Sequence, residues 1–417
     1  MTIRGKRHLI LGALCLSAAC QSSGVEPQPN TPTAARTSLP RALTPAEQGV
    51  LAASNAFSFA LWNRINAAQR DSNIFVSPLS VSYALGMAMN GAAGQTFDEM
   101  RSALQLGTTP LTTIDSGYRS LISLLSTLDA STTMEIANSI WYRDGFPFTQ
   151  SFLNDVSSYF GAQVSPLNFD DPSGVLAKVN GWANDETHGR IPRVLDTVDP
   201  ATVMYLMNAI YFKGVWRGGF DSTKTRPAAF HAVGGDETVP MMHRDSLTRY
   251  AETPTYQAVE LPYGDSSFTM TILVPKGGTS VEAVAASLTP ADWQSLTTSF
   301  VPREVSLEFP RVTLSWKRGL IDNMKALGMH AAFENADFTR MSSRGRELAI
   351  SLLQQNAFVK IDEQGTEAAA VTTIGVVVTS APLFTIVRVD HPFIIVIRER
   401  LSGTILFMGK IVRIPAA

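Results

Sequence analysis

The first regular pattern of apolar residues begins at Thr44 and has the spacing of a helix. Val50, Phe57, Leu61 and Ile65 fall on one face of that helix. The Thr-Pro-Ala-Glu sequence at its start combines a capping residue, a proline suited to the first turn and a glutamate that completes a capping box. The pattern therefore predicts that the folded body opens with an amphipathic helix.

The spacing of apolar residues changes along the rest of the chain. Helices are predicted over 81–90, 173–189 and 315–328, and a long strand over 202–216. Further strand-like runs follow, and the C-terminal seventy or so residues are rich in strand formers. Because helices dominate early and strands late, the order favours an α+β fold over alternating βαβ units.

One late segment, residues 357–382, departs from the pattern of an ordinary strand. After Gly365 it continues with three alanines and many β-branched residues, with no proline before Pro382. If the segment is a strand, successive side chains point to opposite faces. The face that starts at Thr366 carries small side chains first and aliphatic ones later, whereas the other face starts with Glu367, whose carboxylate should need water. An ordinary buried strand is one explanation, but alanine is poor strand material and the segment exceeds the usual length of about 5–6 residues. Small side chains followed by aliphatic ones on one face would suit a strand that inserts into a crowded gap between two other strands.

The N-terminal residues indicate export rather than folded structure. Residues 1–20 combine basic residues, a short apolar core and small residues before Cys20, and this resembles a bacterial lipoprotein signal with a lipid on the cysteine. Cleavage nearby by an ordinary signal peptidase is the alternative, since Ser17 stands where leucine is usual. Residues 21–45 are rich in proline, serine and threonine and are expected to form a flexible tether.

Composition limits the partners and the chemistry of the chain. It has 417 residues, of which 45% are hydrophobic and 17% charged, with a formal net charge of −2. Length alone allows two or three domains, and the charge gives no sign of nucleic acid or an anionic membrane as partner. Both cysteines, Cys15 and Cys20, lie in the leader, so the remainder cannot form a disulfide or a thiolate metal site. No later stretch offers about 20 uninterrupted apolar residues.

The signatures of common catalytic sites do not occur in the sequence. Its six histidines have no metal-ligand spacing, and there is neither a nucleophile elbow nor a phosphate-binding loop. A catalytic triad dispersed along the chain would leave no local signature. We therefore predict no enzyme activity, no metal and no cofactor.

Two segments carry a family resemblance. The sequence Glu363-Gln-Gly-Thr-Glu-Ala-Ala-Ala370 resembles the hinge of the reactive-centre loop in serpins, and 391–393 with 407–410 resembles the family's C-terminal strand hairpin. The resemblance covers about 46–414 and implies a single serpin domain over 46–417. It also implies an α+β fold of three β-sheets, eight or nine helices and an exposed reactive-centre loop. Other similar segments occur in the family's order at 73–94, 208–220 and 261–275.

The resemblance implies an inhibitor that acts on serine proteases as a suicide substrate. Counting from the hinge places the scissile bond between Thr379 and Ser380, with Val378 as an alternative bait. These β-branched side chains favour an elastase-like or subtilisin-like protease over a trypsin-like one, whose buried carboxylate would be left unpaired. The alternative is a non-inhibitory member that binds ligands or acts in protein folding, although Thr366 and the alanines after it suit insertion.

The resemblance also implies three groups of functional residues and a cellular setting. The hinge comprises Glu363, Gly365, Thr366, Glu367, Ala368, Ala369 and Ala370; the shutter, beneath the central sheet, comprises Ser77, Ser80, Asn208 and Gln355; the breach, at its upper end, comprises Glu363, Arg311 and Trp216. Gln355 stands where the family usually has histidine, and its amide can both donate and accept. The protein is expected to be an exported monomer that meets a membrane only through a lipid on Cys20.

Overall fold

The computed structural model describes residues 1–2, 34–199, 201–367 and 383–415. The chain divides into residues 1–33 and 34–417, and every described helix and strand lies in the second unit. Several predicted site residues lie outside the described ranges: Cys20, Ala368, Ala369, Ala370, Val378, Thr379 and Ser380.

Nine α-helices occur in the described part of the chain. The predicted opening helix is confirmed with its capping box, since the Thr44 side chain accepts from the Glu47 N–H and the Glu47 carboxylate accepts from the Thr44 N–H at 2.7 Å. The helices are α1 Pro45–Ala68, α2 Pro78–Met89, α3 Gly94–Ala103, α4 Leu111–Ser126, α5 Gln150–Phe160, α6 Pro172–Glu186, α7 Val281–Ser287, α8 Pro290–Ser299 and α9 Ile321–Lys325.

Fifteen strands complete the described structure. They are β1 Ile74–Val76, β2 Thr132–Arg143, β3 Gln163–Leu167, β4 Met204–Val215, β5 Arg226–Ala232, β6 Gly235–Glu252, β7 Tyr256–Pro262, β8 Phe268–Pro275, β9 Val301–Pro310, β10 Val312–Gly319, β11 Gln354–Asp362, β12 Gly365–Thr366, β13 Thr385–Arg388, β14 Phe393–Glu399 and β15 Ile405–Ile411.

The described strands form two hydrogen-bonded networks where three sheets were expected. One has six strands in the order β10-β11-β12-β4-β2-β3; the other has nine, in the order β1-β15-β14-β8-β7-β6-β9-β13, with β5 attached to β6. The larger network is continuous because one long strand, β6, joins its parts. Strand β6 is 18 residues long and pairs with β5 near its start and with β7 at its end. Helix α2, buried along its whole length, contacts β4 of one network and β15 of the other.

The helix predicted over 315–328 is wrong for most of its length. Its first residues belong to β10, in which Val312, Leu314 and Trp316 are buried and alternate with more exposed neighbours. This is the period of a strand, and β10 pairs antiparallel with β11 along all eight of its residues. Helix α9, over Ile321–Lys325, is all that remains of the prediction.

The end of the expected tether lies on the folded body. The Arg36 N–H donates to the carbonyl of Asp265 at 2.6 Å, and its guanidinium lies 2.8 Å from the Asp265 carboxylate. Leu39 and Leu43 pack against the main core. The part of 21–45 that follows residue 35 is therefore attached to the body rather than free.

Candidate functional site: the hinge and the strands around it

The first hinge residues form a short strand between β4 and β11. After β11 the chain turns at Glu363 and Gln364, and Thr366 then pairs with Ile361 of β11 on one side and with Gly214 of β4 on the other. Both pairings are antiparallel, so β4 and β11 are parallel to each other. Beyond β12, no ladder joins β4 directly to β11 among residues 201–367. We call the space between them the β4–β11 gap.

Thr366 points into the protein. It is 2% exposed, and its hydroxyl lies 2.7 Å from the phenolic oxygen of Tyr263. Tyr263 stacks on Trp216 with ring centroids 4.4 Å apart, and burial raises the pKa of its hydroxyl. A small hydroxyl side chain therefore fits this position without leaving a buried polar atom unpaired.

Gly365 occupies a place that no other residue can fill without displacement. Its φ is +154°, and a Cβ built on it would lie 2.0 Å from the carbonyl oxygen of Gly214 and 2.9 Å from the Cα of Val215. Because both neighbours are backbone atoms, a side chain could be accommodated only by moving strand β4.

The breach is held by a bidentate ion pair. The Arg311 Nε donates to Glu363 Oε1 and Oε2 at 2.9 and 3.0 Å, and Nη2 donates to Oε1 at 2.6 Å. The Thr225 hydroxyl donates to the same carboxylate at 2.5 Å. Burial acts to raise the pKa of Glu363, but the hydrogen bonds from Arg311 and Thr225 outweigh it and hold the pKa below its ordinary value.

Trp216 joins the breach to the turn before β12. Its indole Nε1 donates to the carbonyl of Asp362 at 2.9 Å, and its backbone N–H donates to the carbonyl of Gln364 at 2.7 Å. The Phe220 N–H donates to the Glu363 carbonyl at 2.8 Å. The turn is thus fixed from the side of β4 as well as by Arg311.

The expectation that Glu367 faces water is wrong. Its side chain is 2% exposed, and the Nε of Arg190 lies 3.0 Å from its Oε1 and 3.1 Å from its Oε2. The guanidinium of Arg190 supplies a hydrogen-bond donor and a positive charge in place of solvating water. It also lies over the ring of Phe358, 5.7 Å from the centroid. Burial and the nearby Glu367 carboxylate raise the pKa of Tyr211 to about 12.

The backbone of Glu367 extends the ladder of β12. Its N–H donates to the carbonyl of Lys360 at 3.1 Å, although its φ of +59° lies in the left-handed region. The last described residue of the hinge is therefore still bonded to β11, at the entrance to the β4–β11 gap.

The structure places the four shutter residues around the start of α2. The Gln355 amide accepts from the Ser77 N–H and donates to the Ser77 carbonyl, both at 2.9 Å. The Ser80 hydroxyl donates to Oδ1 of Asn208, and the Ser80 N–H donates to the Ser77 hydroxyl at 3.4 Å. Gln355 is 4% exposed, so its two bonds to Ser77 satisfy groups that water does not reach.

Sequence reasoning missed a further member of this polar cluster, Asn138. It lies opposite Asn208 in the β2–β4 ladder and accepts from the Asn208 amide at 2.8 Å, while its own amide donates to the carbonyl of Phe160 at 3.0 Å. A signal was present, since Asn138 shares the apolar face of its strand with Met134 and Ile140.

The described residues hold neither a metal site nor a membrane span. No group of histidine, cysteine, aspartate and glutamate side chains in them could hold a metal ion. None of their helices is both long and apolar enough to cross a bilayer.

Comparison with known proteins identifies the family. The profile of the family described as Serpin (serine protease inhibitor) matches residues 52–414. The chain is a serpin. Membership accounts for the α+β fold and, in general terms, for a function as a protease inhibitor.

Relatives at this level of similarity come from distant organisms. An uncharacterized serpin-like protein of Thermococcus kodakarensis is 32% identical over 369 residues, which cover 87% of this chain and 85% of the relative. Neuroserpin of Gallus gallus is 32% identical over 372 residues, covering 85% of this serpin and 89% of the relative. Among solved structures, thyroxine-binding globulin in complex with thyroxine superimposes with a TM-score of 0.80 at 27% identity, covering 88% of this serpin and 99% of that chain.

Proposed function

We propose that this serpin inhibits serine proteases as a suicide substrate. The serine hydroxyl of the protease attacks the carbonyl carbon of Thr379, the bond to Ser380 breaks, and the proton from that hydroxyl goes to the new amine of Ser380. The cut loop, still esterified to the protease, then enters the β4–β11 gap and distorts the protease before water hydrolyses the ester. The observation that carries the proposal is β12, which already pairs with both walls of that gap.

The register of β12 predicts how far insertion can proceed. Continued along the same pairings, the loop would place residue 373 opposite Gln354, the first residue of β11, and residue 376 opposite Met204, the first residue of β4. Each new backbone hydrogen bond contributes about 0.5–1.5 kcal/mol, with apolar burial in addition. The uncut protein is therefore expected to be metastable with respect to the inserted form.

The same register gives the shutter a role in insertion. Thr372 would lie opposite both Asn208 and Gln355. It would share the inward face of Thr366 because it lies six positions, an even number, after it. Its hydroxyl would enter the polar cluster formed by Ser77, Ser80 and the two amides. Polar residues beneath the gap thus suit a strand that carries threonine at this position and aliphatic residues beyond it.

The bait sequence supports an elastase-like or subtilisin-like target. Val376-Val-Val-Thr379 offers only β-branched side chains of modest size, which suit a shallow apolar pocket. A trypsin-like protease has a buried carboxylate in its specificity pocket, and these side chains would leave that carboxylate unpaired. An unpaired buried charge is costly.

Incubation with an elastase-like and a trypsin-like protease, followed by a denaturing gel, tests the proposal. A covalent complex with the elastase-like enzyme, and a released C-terminal peptide that begins at Ser380, is expected. A peptide that begins at Thr379 would move the bait to Val378. Cleavage in the loop without a complex would reject inhibition and favour a non-inhibitory binding role.

We also propose that the mature protein is exported as a monomer and held at a membrane by a lipid on Cys20. The lipoprotein-like leader supports this, and several acyl chains on one cysteine anchor a protein firmly. Wild type should enter the detergent phase on partitioning, whereas Cys20→Ser should stay in the aqueous phase. Recovery of wild type as a freely soluble exported protein would reject the anchor.

A further inference from the structure

A cavity of about 530 Å³ opens beside the breach, between β6, β7 and residues 35–37. Fifteen residues line it, of which five are arginines and one, Glu260, is acidic. The arginines are Arg36, Arg217, Arg244, Arg249 and Arg400. A cavity of this volume lies within the range of about 300–1,000 Å³ typical of sites for small molecules.

The carboxylates near this cavity are already paired. Glu260 lies 2.6 Å from the Nε of Arg249 and also accepts from the buried Arg398. Asp265, behind the wall, lies 2.8 Å from the Nε of Arg36. Neither of these two acids forms an ion pair with Arg244 or Arg400.

Arg244 is an arginine of the lining that has a buried donor without an acceptor. Its Nη1 donates to the carbonyl of Gly218, Nη2 lies 3.5 Å from the Thr248 hydroxyl, and the guanidinium is 5.3 Å from the centroid of Phe220. Its Nε is buried without an acceptor, and none of its described contacts is a carboxylate. Burial lowers the pKa of Arg244 to about 10, so the side chain remains charged at neutral pH.

Arg400 adds a second guanidinium that bonds to carbonyl oxygens. Its Nε donates to Ser266 at 2.9 Å and its Nη2 to Arg36 at 2.6 Å. Carbonyl oxygens carry only partial charge, so these bonds orient the guanidinium without neutralising it. The nearby carboxylates of Glu260 and Glu399 are opposed by the nearby guanidiniums of Arg249 and Arg398. The guanidinium groups that line this cavity therefore favour an anionic ligand.

The lining also includes apolar surface. Leu247 is 66% exposed, one of few large hydrophobic residues so exposed in the described chain, and Ala35 and Pro262 line the same cavity. Contact with these residues favours a ligand that carries an apolar body besides its charge.

We propose that this cavity binds a small organic anion that consists of a carboxylate or sulfonate on an apolar body. Arg244 holds the charged group, and Leu247 contacts the apolar part. None of the described lining residues belongs to the reactive-centre loop, and the proposal does not depend on protease inhibition.

The test uses the full-length protein and the fluorescent probe 8-anilinonaphthalene-1-sulfonate. Wild type should show one saturable site, and Arg244→Gln should weaken binding at least tenfold. The exposed Arg64 of α1 lies outside the lining, so Arg64→Gln is the matched control for loss of one positive charge and should bind as wild type does. The uncharged analogue N-phenyl-1-naphthylamine should bind at least tenfold more weakly than the sulfonate.

A second variant covers the case in which Arg244→Gln does not fold. Leu247→Asp changes an exposed side chain at the cavity and should weaken sulfonate binding by repelling it and removing its apolar contact. Equal binding by wild type and Leu247→Asp, or the absence of saturable binding to wild type, would overturn the proposal.

Discussion

The hydroxyl of Thr366 and the phenolic oxygen of Tyr263 lie 2.7 Å apart in the buried interior. This contact fixes which face of the hinge strand points inward, because side chains alternate along a strand. If the loop inserts as proposed, its inward positions would be the even-numbered residues after Thr366, which are small at first and aliphatic later.

Replacement of Thr366 by arginine should convert the inhibitor into a substrate. The longer charged side chain would have to displace the contact with Tyr263 and be buried unpaired, at a cost of several kcal/mol. Insertion of the loop should slow, while attack at Thr379, 13 residues later in the sequence, should be unaffected. Hydrolysis of the acyl-enzyme should then be faster than insertion. The measurement is the number of inhibitor molecules cleaved per covalent complex formed.

Thr366→Ser is the control for this variant because it keeps the hydroxyl and the small volume. It should retain complex formation. Glu367→Arg would be a poor control, since the carboxylate of Glu367 is buried against Arg190. Wild-type complex formation by Thr366→Arg would show that inhibition does not require insertion through this hinge.

Gly365→Ala should expel β12 from its place between β4 and β11. The new Cβ would lie 2.0 Å from the Gly214 carbonyl oxygen, a separation that only backbone movement can relieve. We expect at least a tenfold rise in the fraction of loop cleaved without complex formation. Gly181→Ala, on α6 with no atom within 4 Å of the new Cβ, should behave as wild type or be more stable by about 0.5–1 kcal/mol. Equal behaviour of the two variants would contradict the tight fit at Gly365.

Glu363→Lys should promote polymerisation. It replaces the carboxylate bound by Arg311 and Thr225 with a second cation, so the end of the β4–β11 gap should open and accept the loop of another molecule. Size-exclusion chromatography after mild heating should show oligomers that the exposed-site control Glu186→Lys does not form. An unchanged monomer fraction in Glu363→Lys would count against the role of this ion pair.

Acid should weaken the same contact. The pKa of Glu363 lies below its ordinary value in the folded protein, so its contribution to stability is present above the pKa of the unfolded chain. That contribution is lost as pH falls through the folded pKa.

Gln355→Met should destabilise the shutter. The substitution keeps the length of the side chain but leaves the buried Ser77 N–H without its acceptor, at a cost of about 1–3 kcal/mol. The midpoint of denaturant unfolding should fall accordingly, while Gln95→Met at an exposed helix position should have little effect. A midpoint equal to that of wild type would mean that the amide contributes nothing there.

Glu47 provides a second acid-sensitive contact, at the start of α1. Hydrogen bonds from Arg41, opposed by burial and aided by Ser120 and Thr44, lower the pKa of its carboxyl from 4.5 to about 2. A shift of this size corresponds to about 3 kcal/mol. The contribution should be complete above about pH 4.5 and disappear as pH falls towards 2.

Glu47→Gln tests this directly. At pH 7 the variant should be less stable than wild type by about 2–3 kcal/mol, because Arg41 is partly exposed and water screens the pair. The difference in unfolding midpoints should shrink as pH is lowered below 4.5. A difference that does not change with pH would show that packing, rather than charge, makes Glu47 important.

Local patterns in the sequence predicted some features well. The capping box of α1 was predictable because all its contacts lie within four residues. The ion pair of Arg311 and Glu363 and the contact of Gln355 with Ser77 followed from matching the family's segments, not from periodicity. The helix predicted over 315–328 failed because pairing with β11, a distant partner, decided the conformation of its first residues.

Other features of the hinge had no local signal. Arg190 contacts Glu367 across 177 residues of sequence, and Tyr263 contacts Thr366 across 103. Nothing in the immediate sequence of either partner indicates such a contact, since it depends on how the segments that follow α6 and β7 pack against the six-stranded network. The burial of Glu367 therefore became evident only from the fold.

The pairing of β1 with β15 has a consequence for biosynthesis. Val76 lies opposite Met408, so a strand near the start of the fold finds its partner only when more than 300 further residues have been made. Strands β14 and β15 are interior members of the nine-stranded network, and a nascent chain that ends before Phe393 lacks both. Contacts of such long sequence separation fold slowly. The larger sheet therefore cannot close until β15 has been synthesised, and until then β1 and β8 lack the strands that lie between them in the folded protein.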